Sequence, residues 1–106
     1  DPKTVDEYRT DPLIGRVATS RWFTETQLAQ QQLNRAATQI DLPILFQQAG
    51  EDKLVDASAG RCIYDLFASA DKTWEDRPDE YHEIWFETDR AETIGNVISW
   101  LDARCA

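Results

Sequence analysis

The sequence predicts an α/β fold, the terminal part of a doubly wound parallel sheet, and three observations carry that reading. Pro43-Ile44-Leu45-Phe46-Gln47-Gln48 is a short apolar run that opens with proline and closes at Ala49-Gly50, as a buried parallel strand does. Ala59, Cys62, Ile63, Leu66, Phe67 and Ala70 then recur at i, i+3, i+4, i+7, i+8 and i+11, which is one face of a helix over about 57–70. A second strand over 73–77, anchored by Trp74, completes strand, helix and strand, so the two strands run parallel and are joined by a crossover. Two parallel strands cannot close off their own edges. Residues 43–104 therefore read as the end of a larger sheet.

The flanking elements follow from local signals. Residues 1–23 read as irregular, with a turn at Asp11-Pro12 and apolar anchors at Leu13, Ile14, Val17, Trp22 and Phe23 that keep no period. Thr24 and Gln27 form a capping box that opens a helix, and Ala29, Leu33, Ala36, Ala37 and Ile40 make its apolar face. Asp41-Leu42-Pro43 stops it. Its other face is rich in glutamine, which places it on a surface. A last helix over 89–104 opens with Asp89 and Glu92 as a capping box and carries Ile94, Val97, Ile98 and Leu101 as its buried stripe.

At 106 residues the chain holds one domain, and 42% hydrophobic against 29% charged residues excludes collagen-like, low-complexity and wholly disordered classes. The formal charge of −9 repels phosphate backbones and anionic headgroups, so nucleic acid is not an expected partner. No apolar run approaches the roughly 20 residues that span a bilayer, and the start shows no signal-peptide pattern. The expected setting is soluble and cytoplasmic. Cys62 and Cys105 are too few for a disulfide scaffold and read as two buried thiols. The sequence does not open with methionine, and the unfinished sheet favours a piece of something longer.

In a parallel crossover the loops after both strands leave the same edge of the sheet, where ligand and catalytic groups gather. The first loop, Gly50-Glu51-Asp52-Lys53-Leu54-Val55-Asp56, holds Asp52; the second, Pro78-Asp79-Glu80-Tyr81-His82-Glu83, holds His82, the only histidine. A carboxylate beside an imidazole is the orienting half of a nucleophilic triad. Taken singly, each residue has a plainer reading: Asp52 as a turn residue, His82 as a packing or surface histidine. Asp56 reads as the cap of the next helix and remains the alternative acid. None of Ser20, Ser58, Ser69 and Ser99 lies in a Gly-x-Ser-x-Gly elbow. The eight acidic residues within 75–92 match no compact metal-ligand spacing and read as a solvated face. Tyr81, Trp85 and Phe86 either line an acyl pocket or pack against the helix that follows.

The run from Pro43 to Asp56 resembles the acid-bearing segment of the monoacylglycerol lipase and lysophospholipase branch of the α/β-hydrolases. Tyr81-His82-Glu83 resembles that branch's histidine loop, Val97-Ile98-Ser99-Trp100-Leu101-Asp102 its final helix, and Val5, Tyr8 and Asp11-Pro12-Leu13-Ile14 the exit from its cap. The resemblance implies that 1–40 are the end of the cap and the return to the sheet, and that 41–106 are the C-terminal part of the core. It implies Asp52 as triad acid and His82 as triad base, with the N-terminal sheet and nucleophile elbow absent from this chain. One departure is Asp79, where the family often has glycine; aspartate tolerates left-handed backbone better than most residues. The implied function is that of a serine hydrolase cleaving carboxylic esters of glycerol lipids, with no metal or organic cofactor. As partners it implies a lipid ester and either the missing N-terminal part of the fold or a second copy. The alternatives are a peptidase, thioesterase or general esterase on the same fold, or a non-catalytic acidic interaction domain.

Overall fold

The computed structural model describes residues 2–105; Asp1 and Ala106, the outer ends of the expected segments 1–40 and 41–106, lie outside the described residues. Two strands, β1 (Ile44–Ala49) and β2 (Lys72–Arg77), pair in parallel from Ile44 opposite Lys72 to Ala49 opposite Arg77. They are accompanied by four helices: α1 (Pro2–Thr10), α2 (Ser20–Ala36), α3 (Ala57–Leu66) and α4 (Arg90–Asp102). Short 3₁₀ turns follow α2 at Ala37–Gln39 and precede α4 at Ile84–Phe86.

The period-two alternation of the strands sorts their side chains onto two faces. On one, Phe46 stacks on Trp74 at 4.9 Å between ring centroids, and Tyr64 of α3 meets both rings edge-on. Arg61 lies over Trp74 and Tyr64, while Lys72 Nζ donates to the carbonyls of Tyr64 and Phe67, satisfying the end of α3. Gly60 lies close against this face: a Cβ on it would displace the Gln48 side-chain oxygen and touch the Phe46 ring. The opposite face takes α4 through polar contacts: Trp100 Nε1 donates to Thr73 Oγ1 at 3.1 Å, and Asn96 Nδ2 to Glu75 Oε1 at 2.6 Å. Arg104 grips Asp71 with two bonds of 2.6 and 2.7 Å, fixing the end of α4 to the start of β2.

The helices depart from the sequence expectations at their ends. Residues 2–10 are helical rather than irregular, because Pro2 suits the first helical position and nothing breaks the run before Asp11-Pro12. The next helix starts at Ser20, not Thr24: Thr19 is its cap, accepting from the Trp22 N–H at 3.1 Å, and the Thr24 hydroxyl donates back to the Ser20 carbonyl. Helix α3 ends at Leu66, and β2 begins at Lys72. In α4 the Asp89 side chain makes no capping bond, so the expected capping box does not form. Cys62 and Cys105 are free and exposed, not buried.

The core is thin. Among apolar side chains only Ala37, Ala49 and Tyr64 are buried within the described residues, and the α4 stripe is open, with Ile98 53% exposed. The surface is 8131 Å², whereas a self-contained 12.2 kDa protein exposes about 6,100 Å². The radius of gyration is 16.0 Å against about 13 Å for a compact chain of this length. The apolar periods are real, but their faces are not covered by this chain.

Candidate active site

Both loops leave the C-terminal edge of the β1–β2 pair and are stitched together there by backbone bonds. Gly50 N–H donates to the Arg77 carbonyl at 2.8 Å and Glu51 N–H to the Glu80 carbonyl at 3.0 Å. The stitching requires close approach: a Cβ at Gly50 would sit 2.5 Å from the Pro78 carbonyl oxygen.

Across this seam His82 Nδ1 lies 2.8 Å from Asp52 Oδ2. The Asp52 side chain is 4% exposed and that of His82 38% exposed, so the acid is enclosed and the ring is open to a reactant. Asp52 Oδ1 accepts from the N–H groups of Leu54 and Val55 at 2.8 and 3.0 Å, which leaves Oδ2 for the ring. Burial pushes the Asp52 carboxyl up, but the bonds from His82, Val55 and Leu54 outweigh it and hold the group below its ordinary value. Against an ionised acid the ring keeps its proton on Nδ1, and Nε2 becomes the basic atom. Asp56 is engaged elsewhere: its Oδ1 accepts from the Ser58 N–H and hydroxyl and caps α3.

His82 stands where two depressions meet. One, of about 670 Å³, runs along β1 past Leu45, Gln47, Ile84, Trp85 and Val97. The other, of about 370 Å³, is bounded by Thr4, Val5, Lys53, Leu54 and Tyr81. Helix α1 reaches the same loop, where Thr4 Oγ1 donates to the Phe86 carbonyl. Among the described residues none adopts left-handed backbone, so Asp79 fills the glycine position without needing it.

The acidic stretch around His82 is not simply a solvated face. Arg77, at the end of β2, is ringed by Glu75 at 2.6 Å, Glu92 at 3.2 Å and Glu80 at 3.8 Å, and the side chains of Arg77 and Glu80 are each only 11% exposed. The sequence reading missed this cluster. Its only signal was polar residues alternating along strands that should be apolar on both faces. Burial pushes the Glu80 carboxyl above the ordinary range; Arg77 opposes the rise, and Glu87, Asp89 and Glu75 add to it. A carboxyl raised on folding disfavours the folded state once the pH exceeds its folded value, and that loss is relieved as the pH falls below it. Glu80→Gln is therefore expected to raise the thermal midpoint at neutral pH, with the advantage vanishing below the ordinary carboxylate range. Thermal melts across that interval check it; an advantage that persists in acid would contradict the sign.

The sequence matches the family profile described as Serine aminopeptidase, S33, over residues 1–89. The chain belongs to this family of α/β-hydrolases. It is 30% identical over 105 residues to the monoglyceride lipase of Mus musculus and 28% identical over 99 residues to phospholipase YtpA of Bacillus subtilis. These alignments take in 96% and 92% of the chain but 35% and 38% of the relatives, so the chain spans little more than a third of their length. The crystal structure of the Paleococcus ferrophilus monoacylglycerol lipase superposes with a TM-score of 0.77 at 23% identity, covering 95% of this chain and 40% of that one. That likeness establishes the fold: two parallel strands and their helices, matching the C-terminal part of an α/β-hydrolase.

Proposed function

We propose that this chain supplies the acid and the base of a Ser-His-Asp hydrolase that cleaves carboxylic esters of glycerol lipids, a monoacylglycerol or a lysophospholipid. The observation that carries the reading is the Asp52–His82 contact of 2.8 Å at the edge where both loops emerge. A serine from the rest of the fold attacks the acyl carbonyl; His82 Nε2 takes its proton and returns it to the leaving alkoxide, while Asp52 holds the ring and stabilises the imidazolium. The lipase and phospholipase names of the relatives support an acyl substrate. The family description favours a second reading, in which the same dyad serves a peptide amide.

A panel of lipid esters, peptides and thioesters offered to the full-length protein separates the two readings: turnover confined to peptides would replace the first by the second. The 106-residue chain by itself is expected to leave a fluorophosphonate probe unreacted, because an unactivated surface serine is a weak nucleophile. Labelling at Ser20, Ser58, Ser69 or Ser99 would place the nucleophile inside this chain and overturn the assignment.

A further inference from the structure

A chain of polar contacts on the α4 face of the sheet ends on both sides of His82. At its centre is Glu75 of β2, directly across the ladder from Gln47 of β1. Glu75 Oε2 accepts from Gln47 Nε2 at 2.9 Å, and Oε1 accepts from Asn96 and lies 2.6 Å from Arg77 Nη2. From Gln47 the chain runs forward: Trp85 Nε1, three residues after His82, donates to Gln47 Oε1 at 3.1 Å. From Arg77 it runs to Glu80, two residues before His82, whose carbonyl also accepts the Glu51 N–H of the acid loop. A second bond from Gln47 Nε2, to the Thr93 carbonyl at 3.2 Å, ties the centre to α4.

A parallel sheet facing a helix ordinarily uses apolar side chains there, since a buried carboxylate costs desolvation that its partners must offset. What the polar Gln47–Glu75 pair provides is direction: the hydrogen bonds through Gln47 to Trp85 fix angles as well as distances, the ion pairs of Arg77 with Glu75 and Glu80 hold the other side by charge, and the elements so held are the two ends of one loop.

We propose that Glu75 is a positioning residue for His82, acting through Gln47 and Trp85 on one side of the loop and through Arg77 and Glu80 on the other. The inference rests on the Asp52–His82 reading. It adds that the register of the imidazole against its acid is set from the middle of the sheet as well as within the two loops.

The test uses the full-length protein and three variants, with kcat and KM for a lipid ester and the downfield proton resonance of His82 Nδ1–H as readouts. Glu75→Gln keeps the size of the side chain and loses the charge that holds Arg77; it is expected to lower kcat roughly tenfold with KM within about twofold, and to broaden the Nδ1–H resonance. Trp85→Phe keeps an aromatic ring and removes the indole N–H that bonds Gln47, with a smaller change in the same direction, and it decides the matter if Glu75→Gln does not fold. Arg104→Gln removes the Arg104–Asp71 pair at the opposite end of β2 and should lower the thermal midpoint while leaving kcat and the resonance unchanged. Wild-type kcat and a sharp Nδ1–H signal in Glu75→Gln and Trp85→Phe would overturn the proposal, as would equal losses in Arg104→Gln. If His82→Ala itself retains turnover, the fault lies with the dyad reading and not with the positioning role.

Discussion

His82→Ala in the full-length protein is expected to reduce ester turnover by about four to six orders of magnitude, with substrate binding little changed. The size follows from what is lost: on the proposed mechanism His82 is the group that accepts the serine proton and returns it to the leaving group. Asp52→Asn is expected to cost about four orders. The amide is nearly isosteric, so the contact geometry survives, but an Asn NH₂ directed at Nδ1 stabilises the tautomer with its proton on Nε2, which cannot act as base. The asymmetry of exposure, 4% for the Asp52 side chain and 38% for His82, suits the proposed roles, in which the enclosed group orients and the open group reacts. Because burial and the hydrogen bonds act oppositely on Asp52 and the bonds prevail, its folded value lies below the unfolded one. The contact therefore contributes stability above the ordinary carboxylate range, and that contribution is lost as the pH falls through the depressed value. Single-turnover kinetics of the two variants check the expectation; near-normal hydrolysis by His82→Ala would exclude the mechanism.

Much of this arrangement was legible in the sequence because it rests on strong local signals. The Pro43 and Gly50 boundaries around an apolar run mark β1, the helical spacing from Ala59 to Phe67 marks α3, and their succession fixes a parallel pair. Once the strands are parallel, the meeting of Asp52 and His82 is a consequence of topology, although 30 residues separate them. Less legible were features that depend on partners distant in sequence. Arg77 and Glu92 are 15 residues apart, and Gln47 and Trp85 are 38 apart, with no short motif announcing either contact. Helix α1 was missed because nine residues hold too few turns to display a period. The α4 stripe shows a different kind of error. Ile94, Val97, Ile98 and Leu101 have the spacing of a buried face, yet Ile98 and Leu101 are 53% and 44% exposed. The period reports what the helix can bury, while coverage depends on segments these 106 residues do not contain.

Gly50→Ala is expected to be the most damaging single-methyl change in the chain. Gly50 has no left-handed backbone to accommodate, so its role is space. An added Cβ would lie 2.5 Å from the Pro78 carbonyl oxygen, 2.7 Å from its Cα and 2.9 Å from its carbonyl carbon, all backbone atoms that cannot rotate away. Relief requires the end of β1 to part from the loop after β2. That movement acts first on the Gly50–Arg77 and Glu51–Glu80 bonds, the two that stitch the loops together. Loss of this packing and these bonds is expected to cost about 3 kcal/mol of stability. A catalytic consequence of similar size is expected, because Asp52 follows Gly50 by two residues and its 2.8 Å contact with His82 leaves little room before hydrogen bonding fails. A displacement near 1 Å is expected to cut turnover about a hundredfold in the molecules that remain folded. Denaturant unfolding gives the first quantity, and turnover well below the melting range gives the second. Wild-type turnover in Gly50→Ala would mean that the loops can separate without moving the acid from its base, and the seam would then be a matter of packing alone.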